Sequence, residues 1–532
     1  MAYYQDLREY LDTLDHEGKL VRVSRELNKD TEIHPLVRLQ FRALPGSERK
    51  GFFFERLTDV RGRKYDMPYV VGVYAASREI YALGMQCRPE EIYGKWLEAQ
   101  HNPFAPVVVT SAPCQERVVS GDDLHHAGID MFPVPMSTPG FDTAPFMTAL
   151  NFITRDPETG VYNVGNYRGQ VKAPDRIGAM CGGPYQGMAR HWEKYRARGE
   201  AMPAAIAVGV TPNIAYASTA RIEHGLSEYG VAGAIAGNPL ELVRCKTVDL
   251  LAPASAEVLI EGTISTAELE REGPFGEFPG YMASADLSRF MTVQCITMRR
   301  EPIWVGFISQ FPPSESSILR GVGIEGAGRK KLVDAGLDNI LDVAVHESSG
   351  AWGYTVIKIR KQSPRDVACI FEVMQEGILQ GKVLVVVDHD IDARDADSVI
   401  WALTFRMQPH RDVRVVEATR MGLDPSIVPP GDEHAIRNAG QEGDRSTALF
   451  IDATMPWAYP PTSLPRRDFM DHARELWQEL GLPPLGRLKE PWFGYELGYS
   501  DPRALEEAEL ALRGEHFEVG RRAAAERKQV GL

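Results

Sequence analysis

Two carboxylates frame the run Glu272-Gly-Pro-Phe-Gly-Glu277-Phe-Pro-Gly-Tyr281. Pro274 fixes its own φ and Gly276 permits a turn that other residues resist, so the segment is not a helix. Pro279-Gly280 punctuates its exit. Phe275 and Phe278 have no purpose in a solvated turn, and they predict a rigid, partly buried loop that holds the two glutamates close together. Paired carboxylates in one apolar site cannot both ionise freely, and one is pushed towards being a proton donor near neutral pH. A surface turn with two solvated glutamates is the competing reading of this stretch alone.

Other runs carry further chemistry. In Asn163-Val-Gly-Asn-Tyr-Arg168, Gly165 allows close backbone approach and Arg168 offers a planar fork for carboxylate or phosphate. A hairpin end with an exposed arginine fits the same residues. Glu228, in Gly225-Leu-Ser-Glu-Tyr-Gly, reads either as a first-turn helix carboxylate or, with Asn163, as an oxygen ligand for a hard cation such as Mg²⁺ or Mn²⁺. His191, on a helical stretch spanning 185–198, and Cys181, before Gly182-Gly183, read more simply as packing residues. Gly321-Val-Gly-Ile-Glu-Gly326 matches G-x-G-x-x-G, but no good strand precedes it. It reads as a flexible loop before a helix near Arg329, with a dinucleotide site as the alternative.

The elements that position these residues fall into three textures. Residues 1–106 read as a small α/β unit: Leu7, Tyr10, Leu11 and Leu14 at helical spacing, then strands at 20–23 and 69–74. Residues 107–310 hold short strands broken by Gly, Pro and Asp, the pattern of a barrel or sandwich with an inserted helix. Residues 311–495 contain the apolar run 383–387, a strand buried on both faces, then a helix over about 395–407. The Ala/Glu/Arg-rich tail, 496–532, is predicted helical from Pro502. The fold class is therefore α/β (α+β).

The 532 residues suffice for two to four domains, and a net charge of −14 argues against a nucleic-acid binder. Six cysteines without a CxxC pair form neither a zinc pattern nor a disulfide framework and suit a reducing cytoplasm. No signal peptide and no membrane span is expected.

Taken together and in order, these pieces resemble the UbiD family of reversible non-oxidative decarboxylases. The matching runs are Asn163–Arg168, Leu226-Ser-Glu-Tyr229, Pro253-Ala-Ser-Ala-Glu-Val-Leu-Ile-Glu-Gly262, Glu272–Glu277 with Gly280-Tyr281, and Asp390-Ile-Asp-Ala-Arg-Asp395 with Ile400-Trp-Ala-Leu403. The resemblance implies a split-barrel middle domain that carries prenylated FMN, bridged to protein by a divalent metal, commonly Mn²⁺, and by K⁺. It implies a catalytic network of Arg168, Glu272 and Glu277, and decarboxylation through a flavin–substrate adduct with Glu277 as proton donor. Asn163 and Glu228 match metal positions. Ala217, Ser218 and Ala220 fall near the potassium shell. Flavin contacts fall on Asn166, Tyr167, Arg168, Met180, Cys181 and Gly182.

Two departures stand out. Many members place a metal-binding His where this chain has Cys181, with His191 ten residues on as the other option. Many also place a flavin-contacting Lys where Ala448 stands, with Arg445 as a substitute. The resemblance further implies an aromatic or α,β-unsaturated acid as substrate, free or as a CoA thioester, CO₂ as co-product, a flavin prenyltransferase that supplies the cofactor, and a homodimer or homohexamer. The rival functions are a nicotinamide oxidoreductase using 321–326 and a non-catalytic carboxylase subunit.

Overall fold

A computed structural model describes residues 2–181, 186–220, 222, 225–309, 311–375, 381–418, 423–427, 446–483 and 497–529. The chain opens with the helix Leu7–His16, capped by Asp6, which accepts from the Arg8 and Glu9 N–H groups; Leu7, Tyr10, Leu11 and Leu14 are its buried stripe. Behind it lies a four-stranded sheet in the order Leu20–Val23, Gly51–Phe54, Tyr69–Val71, Trp304–Gly306. The last strand arrives from beyond the central barrel and runs parallel to Tyr69–Val71. The N-terminal layer and the barrel therefore share one hydrophobic cluster, from Tyr3 to Val322.

The central sheet is antiparallel and curls without closing. Its order is Tyr162–Asn166, Asn151–Arg155, Met202–Val208, Val258–Ile264, Phe290–Met298, Arg176–Gly178, Gly169–Ala173, Phe146–Met147, with Arg117–Ser120 also pairing to Phe290–Met298. Its two ends are linked twice by the chain itself. Residues 148–150 and 167–168 both cross from one end to the other, and they lie side by side, since the Tyr167 N–H donates to the Leu150 carbonyl at 3.3 Å. Arg168 sits in this seam.

The C-terminal domain is a five-stranded sheet in the order Ile340–Val345, Tyr354–Ile359, Val383–Asp388, Ser446–Ala453, Val413–Ala418. Val383–Asp388 has parallel partners on both sides, as its apolar run predicts. The helices Asp366–Gln375 and Ala396–Phe405 cover its opposite faces. Ala448 is a buried core residue of this sheet; Arg445 lies outside the described residues.

The 20-residue helix Glu315–Asp334 joins barrel to C-terminal domain and corrects one expectation: Gly321–Gly326 is its interior, not a loop. The glycines serve close packing. A Cβ on Gly321 would lie 3.1 Å from the Ala351 Cβ, and one on Gly323 3.2 Å from the Ala220 Cα. A dinucleotide loop is absent there, because the backbone N–H groups of a helix interior already bond within the helix. The tail is helical, as Pro502–Leu512 and His516–Ala525, and a further helix, Arg467–Glu479, precedes it. Among the described residues no helix is long and apolar enough to cross a membrane.

Candidate active site

The run from Glu272 is a buried two-stranded arm. Glu270–Glu272 pairs with Asp286–Ser288, and Phe275–Gly276 pairs with Met282–Ala283. Gly273 and Gly280 take φ of 98° and 100°, backbone open to glycine and costly for other residues, so both turns depend on them. At the tip, the Glu277 N–H donates to the Tyr281 carbonyl at 2.9 Å. Phe275 and Phe278 are buried, and Phe275 packs on Phe146 with ring centroids 4.7 Å apart. The solvated-turn reading does not survive this burial.

The arm delivers both carboxylates to the seam. Arg168 donates from Nε to Glu272 at 2.9 Å and from Nη1 to Glu277, and its guanidinium stacks over Phe275 at 4.8 Å. The two acids are not equivalent. Glu272 is 2 % exposed, and its Oε2 has no hydrogen-bond partner among the described residues. Burial pushes the Glu272 carboxyl above the ordinary range against the pull of Arg168. Glu272 is the deeper of the two; the Glu277 side chain keeps 16 % of its exposure and the freer access.

Three glycines set this geometry. A Cβ on Gly178 would fall 2.2 Å from Glu272 Oε2, one on Gly165 2.5 Å from the Tyr167 ring, and one on Gly187 1.9 Å from Asn163 Oδ1. Each site side chain rests on bare backbone.

Beside the seam a second group converges. Asn163 faces Thr154 across the sheet, and burial pushes the pKa of the Tyr167 hydroxyl up. Glu228 begins the helix Glu228–Ala236, as its first-turn reading expects, and accepts the Val164 N–H at 3.1 Å. Burial pushes its carboxyl up to about 7. His191 lies on the helix Gly187–Arg198, and its Nδ1 is 2.9 Å from the hydroxyl of Thr154, the residue opposite Asn163. Cys181 stands elsewhere, with its Sγ 3.2 Å from Arg289 Nη1; burial pushes the thiol up to about 11. Among the described residues no three His, Cys, Asp or Glu side chains form a metal cluster. Ala217 and Ser218 form the last turn of the helix Pro212–Thr219 and Ala220 caps it, where backbone carbonyls run out of intrahelical partners. Met180 lies at the seam, its N–H on the Arg168 carbonyl at 3.4 Å; Gly182 lies outside the described residues.

Four buried polar atoms at or near this seam lack partners among the described residues: Asn163 Nδ2, Asn166 Oδ1, Glu272 Oε2 and Arg289 Nε. Such orphans are rare unless a ligand completes them. A mix of donors and acceptors fits a flavin, whose ring carries both amide N–H and carbonyl groups. Sequence reasoning missed Arg289, which stacks on Trp192 at 4.2 Å, and Arg320, which stacks on Phe278 at 3.8 Å. No local spacing signals either: Arg320 comes from the helix Glu315–Asp334, and Arg289 follows the strand that pairs with Glu270–Glu272. A cavity of about 270 Å³ lies apart, among Lys361, Asp388, His389, Trp457 and Tyr499, and holds none of the predicted site residues.

An open antiparallel barrel with an arginine clamped by two carboxylates at its seam, joined to a parallel α/β domain, defines a split-barrel enzyme. Known families agree. Residues 107–311 match the family described as UbiD, 3-octaprenyl-4-hydroxybenzoate carboxy-lyase Rift-related domain, and residues 322–448 match the corresponding C-terminal domain. A phenolic acid decarboxylase of Sedimentibacter hydroxybenzoicus is 30% identical over 496 residues, spanning 90% of this chain and 97% of its own. The UbiD-class enzyme HmfF from Pelotomaculum thermopropionicum, in an evolved dimeric form in complex with prFMN, superposes with a TM-score of 0.74 at 30% identity over 87% of this chain and 98% of its own. Vanillic acid decarboxylase of Sedimentibacter hydroxybenzoicus, in its closed form, gives a TM-score of 0.75 at 27% identity over 90% and 99%. The chain belongs to the UbiD family and is a carboxy-lyase of that class.

Proposed function

We propose that this protein decarboxylates, reversibly, an aromatic or α,β-unsaturated carboxylic acid with prenylated FMN bound at the barrel seam. The observation that carries the reading is the single arginine, Arg168, bonded to both Glu272 and Glu277 among unpaired polar atoms. Asn166, Tyr167, Arg168, Met180 and Cys181 would hold the flavin. Asn163 and Glu228 would offer oxygen ligands to a divalent cation such as Mn²⁺, with His191 better placed than Cys181 to join them. The carbonyls of Ala217, Ser218 and Ala220 would suit K⁺. A flavin prenyltransferase would supply the cofactor.

Loss of CO₂ breaks a C–C bond and leaves an electron pair on carbon. The bound flavin supplies the sink for that pair, which no side chain provides. Arg168 stays charged and fixes both carboxylates. Burial raises the pKa of Glu272, and Glu277, the more accessible of the two, delivers a proton to the carbon that lost CO₂. In carboxylation Glu277 removes that proton. A free acid is the simpler substrate and a CoA thioester the alternative. The retention of Arg168, Glu272 and Glu277 together supports an enzyme over a non-catalytic subunit, since unpaired buried charge is costly without a use.

Glu277→Gln keeps the shape and cannot transfer a proton. Turnover of aromatic acids should fall by about 10²–10⁴-fold, with flavin content near that of wild type; wild-type rates of decarboxylation and of deuterium exchange at the product carbon would remove Glu277 from the role. Glu228→Ala should lower both metal and flavin content, and full retention of both would take it out of the metal site. We also propose a homodimer or larger homo-oligomer, because the tail helices leave Leu505, Leu512 and Phe517 largely exposed. Light scattering that returns a monomer mass at micromolar concentration would contradict it.

A further inference from the structure

The cavity of about 270 Å³ in the C-terminal domain lies at the carboxyl ends of three parallel neighbours, Tyr354–Ile359, Val383–Asp388 and Ser446–Ala453. Lys361 stands two residues beyond the first strand, Asp388 ends the second, and Met455 stands two residues beyond the third. Open α/β sheets hold their ligands at this end. Trp457, Tyr459 and Tyr499 wall the cavity. The Trp457 and Tyr459 rings lie 6.3 Å apart between centroids. The Tyr499 N–H donates to the Tyr459 carbonyl at 2.7 Å, which holds the segment bearing the third ring beside them. Yet Trp457 keeps 64 % and Tyr499 62 % of their exposure. A flat ligand that enters between such rings takes apolar surface out of water.

The floor is polar and incompletely used. Met455 ties two opposite charges together: its N–H donates to Asp388 Oδ2 at 2.7 Å, and its carbonyl accepts from Lys361 Nζ at 3.5 Å. Lys361 also donates to Thr454 Oγ1 at 2.8 Å, so one of its three N–H groups is unused among the described residues. Asp388 is 3 % exposed; Arg406 shares its Oδ2 with Met455, and Oδ1 takes no hydrogen bond from the described residues. Burial raises the Asp388 carboxyl against the pull of Met455, Arg406 and Lys361. An anion entering here meets Asp388 and a cation meets Lys361, so a charged ligand of either sign faces a like charge. A neutral hydroxyl avoids both costs, because it donates to a carboxylate and accepts from an ammonium at once. A cavity of about 150 Å³ takes benzene, so this one suits a single substituted ring. The geometry points to a binding site for a neutral phenol, its hydroxyl between Asp388 Oδ1 and Lys361 Nζ and its ring among Trp457, Tyr459 and Tyr499. The cavity shares no residue with the seam, and the inference stands apart from the decarboxylase reading.

The test is calorimetric titration of the flavin-loaded protein with phenol, anisole, benzoate and benzylammonium, for wild type, Trp457→Ala and Lys361→Met. Because the seam also accepts aromatic rings on the reading above, binding at the cavity is taken as the part that Trp457→Ala removes. Phenol should lose that part in Trp457→Ala and bind there about 10-fold more weakly in Lys361→Met. Anisole keeps the ring and the acceptor but has no donor for Asp388, and should bind the cavity about 10-fold more weakly than phenol or worse. Benzoate and benzylammonium should both fall below phenol. Trp457 is a surface ring, so its loss does not threaten folding, and the ranking of the four ligands needs only wild type beside it. Phenol binding that is unchanged in Trp457→Ala would overturn the inference. So would anisole equal to phenol, or a charged ring that prefers the cavity. If phenol does not bind and Trp457→Ala lowers the particle mass in light scattering, the rings seat a second copy of the chain and the inference falls. A protein that binds phenol here yet decarboxylates no aromatic acid leaves this site standing and removes the decarboxylase reading instead.

Discussion

An arginine between two acids at the barrel seam has a counterpart in the C-terminal domain. At the barrel seam one arginine binds two glutamates; in the C-terminal domain Arg406 binds Asp388 at 3.1 Å and Asp390 at 2.7 and 2.6 Å. Both triads are buried, and both arginines stack on a ring, Arg168 on Phe275 and Arg406 on Trp401. They differ in what is left over. Asp390 has both oxygens on Arg406, and Asp388 Oδ2 also accepts the Met455 N–H at 2.7 Å; the buried unpaired atom is a donor, Arg406 Nε. At the seam the unpaired atom is an acid oxygen, Glu272 Oε2, and the second acid keeps access to the outside. Charge pairing in the interior is therefore no sign of catalysis by itself. Burial raises the carboxyl of Asp388 as well as that of Glu272, so a raised pKa does not separate the two triads either; what sets the seam apart is the buried, unpaired Glu272 Oε2 beside a second acid with freer access.

The largest break in this comparison comes from deleting each arginine. Arg168→Ala strands Glu272, at a cost of roughly 3–5 kcal/mol. It should lose flavin and reduce turnover further than the 10²–10⁴-fold or so expected of a lost proton donor alone. Arg406→Ala strands Asp388 and Asp390 at a similar cost, about 3–5 kcal/mol. Its turnover and flavin content per folded molecule should match wild type. Denaturant unfolding, flavin absorbance and decarboxylation measured on both variants separate the two cases. A loss of turnover in folded Arg406→Ala would make the C-terminal triad part of the chemistry and dissolve the contrast.

Much of this was legible in the sequence. The charged residues of the seam, the α/β character of the C-terminal domain and the buried strand 383–388 follow from local spacing and apolar runs. Which carboxylate lies deeper did not follow, because the depth of Glu272 is set by Gly178, a residue distant in sequence that leaves room for Oε2. The glycine run 321–326 misled for a related reason. Glycines that let a helix approach Ala220 and Ala351 leave the same letters as glycines that loop around a phosphate, and only the tertiary partner distinguishes them. Arg320 and Arg289 carried no signal, since a stacked arginine is an ordinary surface residue until the ring beneath it is known.

A third buried carboxylate sharpens the comparison with the smallest expected effect. Glu315 has no arginine; it accepts the N–H groups of Gly72 at 2.9 Å, Tyr74 at 3.1 Å, Ala75 at 3.4 Å and Ile308 at 3.2 Å, tying the long helix to the N-terminal layer. Burial outweighs these bonds and pushes its carboxyl up to about 7. A carboxyl raised in the folded state binds a proton that the unfolded chain has released, so folding is favoured at low pH and loses support as pH rises. The loss begins near the ordinary glutamate value and is complete once pH passes about 7. At about 1.4 kcal/mol for each pKa unit, the total is roughly 3 kcal/mol. Unfolding midpoints in denaturant should therefore fall between pH 5 and pH 8. Glu315→Gln should reduce that slope, because the amide does not titrate, and leave the share of Glu228, whose carboxyl burial also pushes up to about 7. It should also be less stable than wild type at pH 5, where its NH₂ group faces backbone donors from which the hydroxyl oxygen of the protonated acid can still accept. A wild-type slope that persists in Glu315→Gln would place the titration on another group and leave Glu315 ionised, held by its four N–H donors alone.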